Sequence, residues 1–325
     1  MISTAKRAAR AVLGNPPVLG LLRSWRLRGN PVTVLCYHTI GPDIGGPDAW
    51  TVLRAADFRA HLSALQQTHD IVGLDQAVAD GPGNRGKPRA VLTFDDGEAG
   101  NHRHLLPILT ERQLPVTIFV ATGQIETGQP YWFDQIMGAL TASAAIDLTA
   151  HGLGRWNIPP NPGPSRWAAV SALLEALKRV APDRRSTIVA DILSQHPLPA
   201  GRPPLGPMTR AELAEISGTQ GVTIGAHSHC HNLLDQIPVD EAEASMARSR
   251  SLLQDWTGQE IAHFAWPNGN HTPALRQSAR RLGFRTASAL DMRLWRAGAD
   301  PYALPRLGIG RYDDVTRLRL RLLQM

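Results

Sequence analysis

From about Asn30 onward the chain alternates short β-branched and aliphatic runs with stretches of helical period, which restricts it to α/β folds built on a largely parallel sheet. Residues 32–38 are predicted to form a strand ending in a polar loop, and Phe58, Leu62 and Leu65 mark one face of a helix. A second strand over 89–94 is followed by a helix through Leu105, Leu106 and Leu109, and then by a strand over 116–120. The rhythm stops between 131 and 205, where helical patterns at 167–180 and 184–195 are separated by Pro/Gly stretches. We read that segment as a helical insertion. The alternation resumes at Thr209, whose spacing from Glu212 is that of a capping box. A strand over 222–226, a helix over 239–256 and a strand near 263–266 follow. A helix opened by Thr272 and Pro273 and closed by Gly283 comes next, and the last strands are expected near 286–289 and 307–309. The organisation expected is a basic leader at 1–29, an α/β body at 30–312 interrupted by 131–205, and a basic helix at 313–325.

Composition narrows the class. With 325 residues, 43% hydrophobic and 19% charged, the chain is too apolar to be disordered and long enough to bury a large core. Its net charge is +6, but the basic residues are scattered among 28 acidic ones rather than gathered with aromatics into a stripe, which argues against a nucleic-acid partner. Cys36 and Cys230 show no CxxC spacing and cannot make a disulfide framework, so a reducing compartment is favoured. Residues 1–28 carry Lys6, Arg7 and Arg10 but are broken by Gly14, Asn15, Pro16 and Pro17, a poor secretory signal. The expectation is a cytoplasmic protein. The leader either packs on the domain as a solvated helix or lies on an anionic membrane surface, giving peripheral association at the inner face.

Two clusters carry chemistry. In Thr93-Phe94-Asp95-Asp96-Gly97, adjacent carboxylates stand where a buried strand ends. Such a pair is stable when one carboxylate binds a cation and the other is hydrogen-bonded; the plainer alternative is that both cap the following helix. In His227-Ser228-His229-Cys230-His231, three imidazoles fall within five residues, and a single helical turn would aim His227 and His231 the same way. His229 would then point elsewhere, and Cys230 would serve as a small packing residue. One carboxylate with two imidazoles leaves open positions on a zinc-like ion, the arrangement of a catalytic rather than a structural site. Both clusters follow predicted strands, where barrels and open sheets build active sites. A metal-polarised carbonyl with a free aspartate taking a proton points to hydrolysis of an amide or ester.

These motifs make the chain resemble the polysaccharide deacetylase family, the carbohydrate esterases with a NodB homology domain, over about residues 31–129 and 208–311. The resemblance implies a distorted (β/α) barrel with the helical insertion set into it. It also implies Asp95 as catalytic base, and Asp96, His227 and His231 as ligands of a divalent metal, read here as Zn2+. The substrate implied is an N-acetylated glycan or a lipid-linked amino sugar. Two family motifs are incomplete. The third stands here as Phe264-Ala265-Trp266-Pro267-Asn268-Gly269, without its arginine, and Arg306 in Leu304-Pro305-Arg306 is the candidate replacement from the last strand. The late histidine that protonates the leaving amine is missing near 304–306, which makes His38 a candidate acid, a hydrogen-bonded structural histidine being the equal alternative there, with His263 and His271 weaker candidates. Trp132 and Trp266 offer a stacking face for a sugar by residue type, but simple packing is the favoured reading for each. His102 and His104 are expected at solvent-facing helix positions. Competing readings keep the fold with a cyclic ureide or imide as substrate, or make the chain a degenerate carbohydrate-binding module. The retained Asp95 argues against the latter.

Overall fold

The computed structural model describes residues 27–83, 86–140, 144–198 and 205–323. The leader expected at 1–29 therefore lies, up to residue 26, outside the described residues, as does the very end of the C-terminal helix segment. Eight strands form the main sheet: β1 (Val32–Tyr37), β2 (Asp70–Ile71), β3 (Arg89–Phe94), β4 (Val116–Val120), β5 (Val222–Ala226), β6 (His263–Ala265), β7 (Thr286–Ser288) and β8 (Leu307–Gly308). They run in the order β7-β6-β5-β4-β3-β1-β8, with β2 beside β3, and every pairing is parallel. A parallel strand covered on both faces needs an unbroken apolar run, and β1, β3 and β4 are buried at every residue. The helices α1 (Ala55–Gln66), α2 (Leu74–Asp80), α3 (Leu106–Arg112), α4 (Thr122–Thr127), α8 (Arg210–Ser217), α9 (Val239–Thr257), α10 (Pro273–Arg281) and α11 (Val315–Leu322) belong to this body. Phe58, Phe94 and Phe264 are wholly buried in its core, each adding about 1.5–3 kcal/mol by leaving water.

The sheet curls into the distorted barrel anticipated, and one short segment accounts for the curl. Leu304 bridges Ser288 of β7 in parallel, while Leu307 pairs with Leu35 of β1. Residues 304–308 thus join one edge of the sheet to the other, and Arg306 sits between the two attachments. Among the described residues, no helix is long and apolar enough to cross a membrane.

The 131–205 segment carries α5 (Trp132–Ala139), α6 (Pro164–Lys178) and α7 (Pro182–Gln195) around a second core that includes Ile136, Leu173, Leu177, Ile188 and Ile192. It also contains an antiparallel pair, Ala144–Leu148 with Gly154–Ile158, which the sequence does not announce because Gly154, Arg155 and Asn157 face solvent and break the apolar alternation. The capping box at Thr209 is formed in both directions: Glu212 N–H donates to Thr209 Oγ1 at 3.1 Å, and Thr209 N–H to Glu212 Oε2 at 2.8 Å. The helix expected through Leu105 begins instead as a π-helical turn, Asn101–Leu105, before α3. The wider turn brings Asn101 inward, where its Nδ2 donates to the carbonyl of His38 at 2.9 Å.

Candidate active site

The carboxyl ends of β1, β3, β5 and β6 open on one side of the barrel, and the sequence places His38, Asp95 and His227 directly after β1, β3 and β5. After β3 the chain turns sharply, with Asp96 at φ +75 and Gly97 at φ +74. A Cβ on Gly97 would lie 2.9 Å from Val120 Cγ1, so the turn needs glycine for both its dihedral and its clearance. Asp96 tolerates the left-handed region better than most residues, and Tyr131 Oη pins it by donating to its carbonyl at 2.5 Å. A Gly97→Ala variant is expected to lose about 1–3 kcal/mol of stability, read as a lowered Tm; an unchanged Tm would mean that the turn is not strained.

Asp96, His227 and His231 meet at one point. His231 Nε2 lies 3.0 Å and His227 Nε2 3.4 Å from Asp96 Oδ1, and the three ligand atoms all fall within 4.8 Å of one another. His227 Nδ1 donates to the Ala265 carbonyl at 2.7 Å, which orients the ring and aims Nε2 at Asp96. The local reason for this convergence differs from the helical turn expected. Residues 227–231 form a loop with Ser228 at φ +65 and His231 at φ +51, closed by His231 N–H donating to Ser228 Oγ at 3.0 Å. His229 points away, its Nδ1 2.9 Å from Thr122 Oγ1, and Cys230 packs on Ser245.

This donor set fits a divalent cation. A tetrahedral zinc ion with bonds of about 2.0–2.2 Å spaces its ligands roughly 3.3–3.5 Å apart, close to the spacings found. Burial pushes the Asp96 carboxyl up, but hydrogen bonds to His227 and His231 more than reverse this and hold it well below the usual range. Burial pulls both imidazoles down. Asp96 overrides it at His227, which is raised, but not at His231, which stays below its ordinary value and so keeps a neutral ring.

Asp95 is held apart from that point by Arg306. The guanidinium grips the carboxylate with both arms, Nη1 to Oδ1 and Nη2 to Oδ2 at 2.7 Å each. Its remaining donors reach the Ala289 carbonyl at 2.9 Å and Thr93 Oγ1 at 3.1 Å. Arg306 is 0% exposed and Asp95 5%. The Cys36 thiol adds a contact, Sγ to Asp95 Oδ2 at 3.4 Å. Burial raises Asp95, but the Arg306 charge, then His227, outweighs it and keeps the carboxyl below its ordinary value. Carboxyls depressed in the folded state add stability that is complete above their unfolded value of about 3.9 and is lost as pH falls through the folded value. The metal-free protein is therefore expected to hold its Tm down to about pH 4 and to lose it below. A Tm that stayed flat to pH 2 would contradict the assigned partners.

His38 follows β1 with its ring edge-on to Trp50, centroids 5.3 Å apart, and its buried Nδ1 has no hydrogen-bond partner. It lines the same cavity as Asp95, Asp96, His227 and His231, of volume ≈ 350 Å³. The other histidines singled out lie elsewhere. His263 is buried between Thr286 and Asp75, His271 faces Arg276, and His102 faces Glu215. Neither His102 nor His104 lines the cavity. Trp266 cannot offer a face to a sugar: it is wholly buried and donates Nε1 to the Tyr302 carbonyl at 3.0 Å. Its motif supplies the lining through Asn268, at φ +58, and Gly269. Trp132 does line the cavity, but Arg185 lies against its ring. The sequence gives Tyr131, Thr93, Cys36 and Arg185 no role in the site, since each acts through a contact distant along the chain.

The family model described as polysaccharide deacetylase matches residues 82–287, well over half of the chain. The chain belongs to the polysaccharide deacetylase family. Members of that family are hydrolases acting on carbon–nitrogen bonds. The match takes in the Asp95 turn and the His227 loop, whereas His38 and Arg306 lie outside it. None of the curated proteins compared matches the chain. Among solved structures it is similar to a deacetylase, PplD, of Streptococcus pyogenes in complex with acetate, at 16% identity and TM-score 0.59 over 90% of this chain and 98% of that one. IcaB from Ammonifex degensii matches at 18% identity and TM-score 0.60, over 91% of this chain and 98% of that one. A de-N-acetylase from Aggregatibacter actinomycetemcomitans matches at 15% identity and TM-score 0.56, over 89% and 99%. At these identities the likeness shows a shared polysaccharide deacetylase fold.

Proposed function

We propose that the protein is a metal-dependent hydrolase that removes the N-acetyl group from an amino sugar in a polysaccharide or glycolipid precursor. Asp96, His227 and His231 would hold the ion, zinc in our reading. When bound, it would supply Lewis acidity toward a carbonyl oxygen and a lowered pKa for water. The observation that carries the reading is the pairing of this ligand point with a second carboxylate, Asp95, held ionised by Arg306.

The chain's own residues then have separable tasks. Asp95 accepts one proton of the attacking water as its oxygen bonds to the acetamide carbon. Arg306 fixes the carboxylate and, through the Ala289 and Thr93 contacts, is itself fixed. As the carbon–nitrogen bond breaks, His38 gives a proton to the departing amine, so that amine and acetate are the products. His38 is assigned from its place in the cavity beside Asp95 and from its unpartnered Nδ1. A His38→Gln variant is expected to lose about a hundredfold or more in kcat. An unchanged kcat would assign the acid to another group. The reading as a whole is tested by acetate release from a panel of N-acetylated glycans with the zinc-loaded protein. Acetate from at least one glycan is expected; none from any of them would overturn the reading.

A further inference from the structure

The wall of the cavity opposite the barrel loops comes from the insertion, and it contains a buried cation without a counter-charge. Arg185 on α7 is 4% exposed and lines the cavity. Among the described residues its side chain makes one hydrogen bond, from Nη2 to Asn232 Oδ1 at 3.0 Å, and its guanidinium lies 4.9 Å from the centroid of the Trp132 ring. Among the described residues it forms no ion pair, and the stretches outside the description contain no Asp or Glu. The other charged groups of the cavity are already matched. Asp95 is taken by Arg306 behind it, Asp96 by His227 and His231, and Lys178 Nζ contacts Glu175 at 2.7 Å and Asn268 Oδ1 at 2.8 Å. A guanidinium has five N–H donors and stays protonated when buried. Burying it unpaired is costly, so such a group is expected to find its anion in a ligand.

We infer that the insertion wall is an oxyanion subsite, in which Arg185 takes a carboxylate or phosphate carried by the same amino sugar whose acetamide faces Asp95 and Asp96. The inference rests on the proposed deacetylase activity and narrows its substrate class to acidic N-acetylated amino sugars. The cavity of ≈ 350 Å³ is at the small end of ligand sites, which keeps acetamide and oxyanion within one sugar and its substituent. Stacking on Trp132 holds the guanidinium in one plane, and a planar fork suits the two oxygens of either anion. The neutral ring of an uncharged amino sugar would leave Arg185 unpaired.

The test measures binding by calorimetry to the Asp95→Asn protein, in which turnover is blocked, with and without zinc. The probes are N-acetylglucosamine, N-acetylmuramic acid and N-acetylglucosamine phosphates. At low salt a sugar bearing an oxyanion is expected to bind about tenfold tighter than the neutral sugar, the size of a charge-assisted hydrogen bond. Preference for the muramate identifies a carboxylate, and preference for a phosphate identifies a phosphoryl group. The preference should persist without zinc and should fall to near unity when Arg185→Gln is added. Equal binding of neutral and acidic sugars by the parent protein overturns the inference even where the Gln variant fails to fold. So does a preference that vanishes with zinc removal or survives Arg185→Gln. Because binding needs no turnover, a preserved preference with no acetate released by the wild type would sink the deacetylase reading alone.

Discussion

Asp95→Asn is expected to lower kcat for acetate release by about a thousandfold or more while the protein still binds one equivalent of zinc. The substitution keeps the shape of the side chain but removes the charge that accepts a proton. Asp96, His227 and His231, which meet on the far side of the turn, are untouched. The variant also places an amide N–H2 against one arm of Arg306, so some loss of stability should accompany the loss of turnover. Metal content and kcat measured on one preparation separate the two effects. A variant within a few-fold of wild type would show that Asp95 is not the base. A variant that loses zinc would show that Asp95 belongs to the ligand set.

Arg306→Met is expected to cost about 3–5 kcal/mol of folding stability and several degrees in Tm, because it leaves a buried carboxylate with no cation. Burial then dominates Asp95, and its pKa rises. Since the base must be ionised, the acid limb of the activity profile should move to higher pH. The double variant Asp95→Leu with Arg306→Met removes both charges and should recover much of the stability without any activity. If Arg306→Met left both Tm and the acid limb in place, the clamp would have no energetic or catalytic role.

What could be read in advance was what lies close together along the chain. The strands at Arg89–Phe94, Val116–Val120 and Val222–Ala226 stand where their apolar runs end, because parallel strands buried on both faces leave little choice of boundary. The spacing of His227 and His231 marked a pair that meets at Asp96. The geometry behind it, a loop with two left-handed residues, was not legible from spacing alone. Arg306 was reachable only as a substitute for an arginine missing from the third motif, and its contact with Asp95 spans 211 residues. Such a contact depends on how residues 304–308 close the sheet, which no local pattern encodes. Trp266 offers a sugar platform by residue type, but packing is the reading its sequence favours, and its ring is indeed spent on the core. Arg184 and Arg185 read as a solvated helix face, the ordinary place for basic residues, and the packing of α7 against Trp132 and Asn232 overturns that reading for Arg185, which is buried.

The most direct test of the central claim is to strip the wild-type protein with a chelator, reload it with zinc, and follow acetate release from an N-acetylated glycan together with metal content. The account predicts that release stops in the stripped protein and returns in proportion to zinc bound, reaching its maximum at one ion per chain. Full acetate release from the stripped protein would contradict it.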